Sequence, residues 1–338
     1  TKDNYDIFKK IEASGKTIKE LKVSMNRGVV TGLNEVFIVD KTAKEALIKE
    51  DPKSSDLLQP VLLGKNIKRY KITFQNHWMI ATYPARNIKI ENYPAIKRYL
   101  KSFGRRVFQT GEVYIDKKTG ESKKSRKATS NDWFETQDQI SYFQAFESEN
   151  ITWGNLALSA QFALSPPGMC INAPSSIISG CGRELLAILN SQVSDYYIRS
   201  LGVTRSGGYF EYKPMFVEQL PIPDLNENLR MLLANLANYV LLASAASMDL
   251  HRAFFENVID GLVFELYFPD ELSKTNKQVL KHLGPVLPLE DKMSEEEKLA
   301  IISREFDRLY DPEYELRTAI DTLDSVNVVK TIRNALKR

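Results

Sequence analysis

Cysteine and histidine are scarce in this 338-residue chain, which has two cysteines, Cys170 and Cys181, and three histidines, His77, His251 and His282. Two thiols cannot build a disulfide framework, and they fit a reducing compartment. The histidines fall in separate segments with no cysteine or carboxylate at metal-ligand spacing, which argues against a zinc site. No G-x-S-x-G, P-loop or G-x-G-x-x-G occurs, so neither a nucleophile elbow nor a nucleotide cradle is visible. No basic, apolar leader opens the chain, and its first residues, Thr1-Lys2-Asp3-Asn4-Tyr5, read like a cut inside a longer protein. Membrane-length apolar runs are missing too. Residues 150–182 and 231–248 carry no charge, but Pro166, Pro167 and Pro174 break the first, while Asn235, Asn238, Ser244 and Ser247 interrupt the second. The expectation is a soluble, cytoplasmic chain with no membrane partner and enough length for two domains.

What the chain has is charge of one sign in one place. The net charge of +3 hides a block from 64 to 127 with 17 basic and 4 acidic residues, and an acidic tail from 218 to 338 with 14 basic and 21 acidic residues. Lys65, Lys68, Arg69 and Lys71 open the block; Arg86, Lys89, Lys97, Arg98, Lys101, Arg105 and Arg106 follow; Lys117, Lys118, Lys123, Lys124, Arg126 and Lys127 close it. Most lysine runs are merely solvated, but an excess this large, balanced by acid elsewhere, points to a polyanion and a nucleic-acid surface. The candidate DNA contacts are Arg27, Lys65, Lys68, Arg69, Lys71, Arg105, Arg106, Lys123, Lys124, Arg126, Lys127 and Arg205. Residues 116–131 are almost devoid of apolar side chains, so they are expected to form a solvated loop that orders on DNA. Within it Arg126 would read a base edge, whereas Lys65 would hold a phosphate.

The apolar spacing predicts helices over 4–13, 43–50, 93–100 and 183–199, two strands around a glycine reversal at 27–34 with the second over 35–39, and a strand at 77–82. Beyond Pro223 the texture is helical only: 226–248, 250–267, and 294–309 behind a capping box at Ser294-Glu295-Glu296-Glu297. This defines an α+β fold, a mixed-sheet domain over 1–225 followed by an all-helical domain over 226–338. Two catalytic near-misses remain. Ser165-Pro166-Pro167-Gly168 lacks the amide and the aromatic ring of the adenine-methyltransferase Asn-Pro-Pro-aromatic motif, and reads as a turn. Glu121-Ser122-Lys123 behind Asp116 has nuclease spacing, but in a lysine-rich loop rather than on a hydrophobic strand.

Six segments in order resemble a known family: Gly28–Val39, Gly64–Tyr70, Tyr93-Pro94 with Leu100, Ile188–Ser191, Gly207-Gly208-Tyr209 and Gln219–Pro223. The series resembles the TaqI-like C-terminal specificity domain, the target-recognition part of type IIG restriction-modification enzymes and adenine-specific DNA methyltransferases. The resemblance covers about residues 20–225. It implies a domain that clamps duplex DNA against an upstream methyltransferase domain and holds no catalytic residue, metal or cofactor of its own. S-adenosylmethionine, with magnesium where the parent also cuts, would belong to the upstream domains. A type I-like specificity subunit looks similar in the same places. Two readings from different classes stand beside it. One is an enzyme fragment with metal-dependent nuclease activity at Asp116, Glu121 and Lys123. The second is a protein-interaction module whose basic face is incidental.

Overall fold

The computed structural model describes residues 2–117 and 119–337. Its centre is an antiparallel sheet in the order 162–165, 150–153, 176–179, 24–27. Successive side chains of a strand point to opposite faces, and here both faces are covered. Phe162 and Ile178 enter one hydrophobic core, while their neighbours Ala163 and Ile177 enter another. The three strands 150–153, 162–165 and 176–179 are buried on both sides and have no place for a charged residue, which explains the uncharged stretch 150–182, whereas the edge strand 24–27 is exposed enough to carry Arg27.

One core is built around a mixed sheet in the order 170–171, 58–62, 77–80, 38–40, with the first pair parallel and the others antiparallel. Helices Lys41–Glu50 and Pro94–Lys101 contribute Leu47, Ile96 and Leu100 to it. The other core joins the central sheet to helices Arg183–Leu189, Gln192–Leu201, Glu227–Ala245, Asp249–Tyr267, Glu295–Tyr310 and Asn327–Leu336. The change of texture near residue 225 therefore marks no break in packing. Strand Gly15–Thr17 pairs with Pro221–Pro223, and Tyr267 donates to the Pro221 carbonyl at 2.5 Å.

Three local expectations are corrected. Residues 34–37 form a helical turn before strand Ile38–Asp40, not one strand over 35–39. The Thr31 hydroxyl accepts from Leu33 N at 3.0 Å and donates to Asn34 Oδ1 at 2.7 Å, and this turn chemistry overrides the β-branched composition. The helix expected over 183–199 breaks at Asn190-Ser191. Asn190 leaves the helix to pair with both backbone groups of Phe162, at 2.9 and 3.0 Å, and Ser191 caps the next helix by accepting from Ser194 N. Thirdly, residues 116–131 are not a free loop. Ser122–Lys124 pairs antiparallel with Val113–Ile115, making a hairpin whose base is packed.

Candidate nucleic-acid interface

The segment Gly64–Asn66 is a single 3-10 turn set against the central region; a Cβ on Gly64 would stand 2.9 Å from the Ser175 hydroxyl. It leads into the short hairpin Ile67–Lys68 and Lys71–Ile72. The two residues at its tip turn inward. Tyr70, left-handed at φ 56°, is buried, and Arg69 pairs with Glu256 and donates to the Asn190 carbonyl. Lys68 and Lys71, directly opposite each other, stay exposed. Arg69 therefore ties the basic hairpin to helix Asp249–Tyr267, and is not a free contact.

Lys65 and Lys68 line a cleft of about 350 Å³ whose other walls include Asn155, Gln161, Ser175 and Tyr209. Strand Leu156–Ala157 pairs with Phe210–Glu211 and so brings the turn at Gly207 (φ 80°) and Gly208 (φ 78°) to the same cleft. Two segments about 140 residues apart in sequence meet there. Arg205, beside the turn, donates to Glu211 at 2.6 Å, and Lys213 pairs with the same carboxylate at 3.0 Å. The sequence reading missed Asn155, Gln161 and Tyr209. The Gly-Gly-Tyr turn was their one visible signal.

The second basic feature is the 113–124 hairpin. Arg105 lies 3.7 Å from Glu112 and above the Tyr114 ring, Arg106 pairs with Glu35, and Arg27 pairs with Asp138 at 2.5 Å. Lys123 sits between Asp116, at 2.5 Å, and Glu121, at 3.8 Å, and the bond to Asp116 raises its pKa. The exposed pairs of Arg27, Arg105 and Arg106 contribute at most about 1 kcal/mol each, so a phosphate can compete for these cations, whereas Lys123 and Asp116 are half-buried. Among the described residues no acidic partner meets Lys65, Lys68, Lys71, Lys124 or Lys127, all exposed. Lys118 lies outside the described residues.

Arg126 requires the largest correction. It is 3% exposed, and its guanidinium donates to the carbonyls of Val107 (2.9 Å), Thr31 (2.8 Å), Glu135 (2.7 Å) and Trp133 (2.6 Å). Burial without a carboxylate partner pushes its pKa down to about 10, so it stays charged at neutral pH. It pins the hairpin base to the body and cannot reach a base edge.

The catalytic near-misses also find their places. Ser165 is buried, with its hydroxyl on the Asn150 carbonyl, and Gly168 turns at φ 82°. Asp116 and Glu121 share Lys123, and among the described residues no group of three His, Cys, Asp or Glu side chains could hold a metal ion. No helix among them is long and apolar enough to cross a membrane.

The arrangement defines a class: an α+β domain that presents unpaired lysines on a cleft and a projecting hairpin. Residues 59–222 match the family of the TaqI-like C-terminal specificity domain, and the ordered segments from 64 onward fall within or beside that span. The segment 28–39 precedes the matched span. Among solved structures the chain is similar to the type IIL restriction-modification enzyme MmeI in complex with DNA, at 15% identity and a TM-score of 0.47, over 87% of this chain and 36% of that one. It is also similar to the type IIG restriction endonuclease BpuSI, at 16% identity and a TM-score of 0.44, over 79% of this chain and 33% of that one. The chain thus spans about a third of the length of these enzymes. No curated protein sequence matches it.

Proposed function

We propose that this chain recognises a duplex DNA site as the specificity part of a type IIG-like restriction-modification enzyme that methylates adenine at N6. In this reading the methyltransferase domain and its S-adenosylmethionine site lie upstream, and this chain supplies positioning and base readout. The observation that carries the proposal is the sorting of the basic block. The half-buried Arg69 and the buried Arg126 hold the fold together, whereas Lys65, Lys68, Lys71, Lys124 and Lys127 are exposed without acidic partners among the described residues. Lysines with no structural duty, gathered on a specificity domain, suit phosphate contact. The cleft adds Asn155 and Gln161 beside Lys65 and Lys68, and carboxamides are the side chains that pair with an adenine edge.

The test is selection from a pool of random duplexes by the full chain, followed by sequencing. Enrichment of one short motif is the expected result. A pool that stays random through successive rounds, with binding retained, would reduce the chain to a nonspecific DNA-holding surface.

A further inference from the structure

The 113–124 hairpin exposes apolar side chains on its outward face. Val113 and Ile115, two apart on one strand, are each 63% exposed. They share a face with their cross-strand partners, Lys124 opposite Val113 and Ser122 opposite Ile115. The other face carries Tyr114 and Lys123 and is occupied by local contacts, with Arg105 above the Tyr114 ring and Lys123 on Asp116. The acidic groups of the hairpin are already engaged, Glu112 by Arg105 and both Asp116 and Glu121 by Lys123. The outward face is therefore apolar and positive.

Its base is rigid. Arg126 binds four carbonyls of the body, Gly111 N donates to the Arg126 carbonyl at 2.8 Å, and Ser125 N donates to that of Glu112 at 2.9 Å. A two-stranded ribbon held at its base is narrow enough for the major groove of B-DNA. There the one apolar group on any base edge is the thymine 5-methyl. We infer that the Val113–Ile115 face enters the major groove and packs on thymine methyl groups, with Lys124 on the flanking phosphates. This rests on the duplex-recognition reading above and adds to it the groove, the base and the reading side chains. The positive charge beside the apolar pair favours DNA over a protein surface as the occupant.

The experiment uses the motif selected by the full chain, with each thymine replaced in turn by deoxyuridine, which removes only the methyl group. At one or two positions the unmodified protein should bind about fourfold more weakly, the worth of one buried methyl. The double variant Val113→Ala, Ile115→Ala should bind thymine and uracil duplexes alike at those positions, while Lys65→Ala keeps the preference. A selected motif without thymine would overturn the inference and leave duplex recognition standing. So would uracil duplexes that bind as well as thymine ones, or a preference that survives the double substitution. No duplex binding even at low salt would overturn the underlying reading, and the inference with it.

Discussion

Replacing Arg126 with alanine should destabilise the protein, not relax its sequence preference at one base. The side chain is 3% exposed and its guanidinium meets four carbonyls, from Thr31, Val107, Trp133 and Glu135. A buried acceptor stranded by mutation costs about 1–3 kcal/mol. The sum over four is an upper bound, because carbonyls share other donors and water can enter the vacated space. Against this, alanine relieves the buried charge. The fall of the Arg126 pKa to about 10 through burial corresponds to a relief on the order of 3 kcal/mol. The guanidinium also lies 4.7 Å from the Phe37 ring centre, and alanine removes that cation–π interaction. A net loss of about 2–5 kcal/mol follows. Urea unfolding at pH 7 followed by tryptophan fluorescence measures it, since Trp133 is a direct partner. Lysine at this position should recover only part of the loss, because an ammonium cannot span four carbonyls as the planar fork does. A change below about 0.5 kcal/mol together with an altered DNA motif would return Arg126 to the reading surface.

Arg69 should behave alike at the other basic hairpin. Arg69→Ala leaves the part-buried Glu256 with Arg252 alone, at 3.5 Å, and takes the guanidinium donor from the Asn190 carbonyl, and should cost about 2 kcal/mol; a double-mutant cycle with Glu256→Gln should show coupling above about 1 kcal/mol. Asp260 is buried and accepts from Gln192 N and Nε2, both at 2.8 Å, and burial raises its pKa to about 6. Between pH 4 and 6 the folded protein holds a proton that the unfolded chain has released, so this group's contribution is full at pH 4 and falls as pH rises. The stability of the unmodified protein relative to Asp260→Asn should therefore drop by roughly 2–3 kcal/mol from pH 4 to pH 7. Parallel pH profiles of the two urea midpoints would exclude the buried charge as the cause.

The helical half was legible because its signals are local. The three helices expected at 226–248, 250–267 and 294–309 are present as Glu227–Ala245, Asp249–Tyr267 and Glu295–Tyr310, and the Ser294 hydroxyl accepts from Glu297 N as the capping box requires, whereas the shorter helices Glu315–Asp321 and Asn327–Leu336 were not expected. The hairpin was not legible, because Ser122-Lys123-Lys124 has no apolar residue to alternate, and its pairing with Val113–Ile115 depends on a base fixed elsewhere. Composition cannot tell a buried arginine from a solvated one within a lysine run. Arg126 differs from its neighbours only in its planar fork, the feature that lets it serve four carbonyls. Lys65 and Lys68 lie on the surface as their charge implies, but the cleft they line needed the pairing of strands 156–157 and 210–211, which no local pattern announces. The uncharged run 150–182 was informative in a way sequence reading used only against a membrane span: it marks strands buried on both faces.

Contact between the exposed lysines and DNA phosphates is measured most directly by the binding of the full chain to duplex DNA, followed by fluorescence anisotropy across a range of salt, for the unmodified protein and for Lys65, Lys68, Lys71, Lys124 and Lys127 changed together to glutamine. The unmodified protein should show a steep log–log salt slope, shallower in the variant by about 0.9 for each phosphate no longer neutralised, with urea unfolding unchanged. Equal slopes for the two proteins would contradict phosphate contact by these lysines.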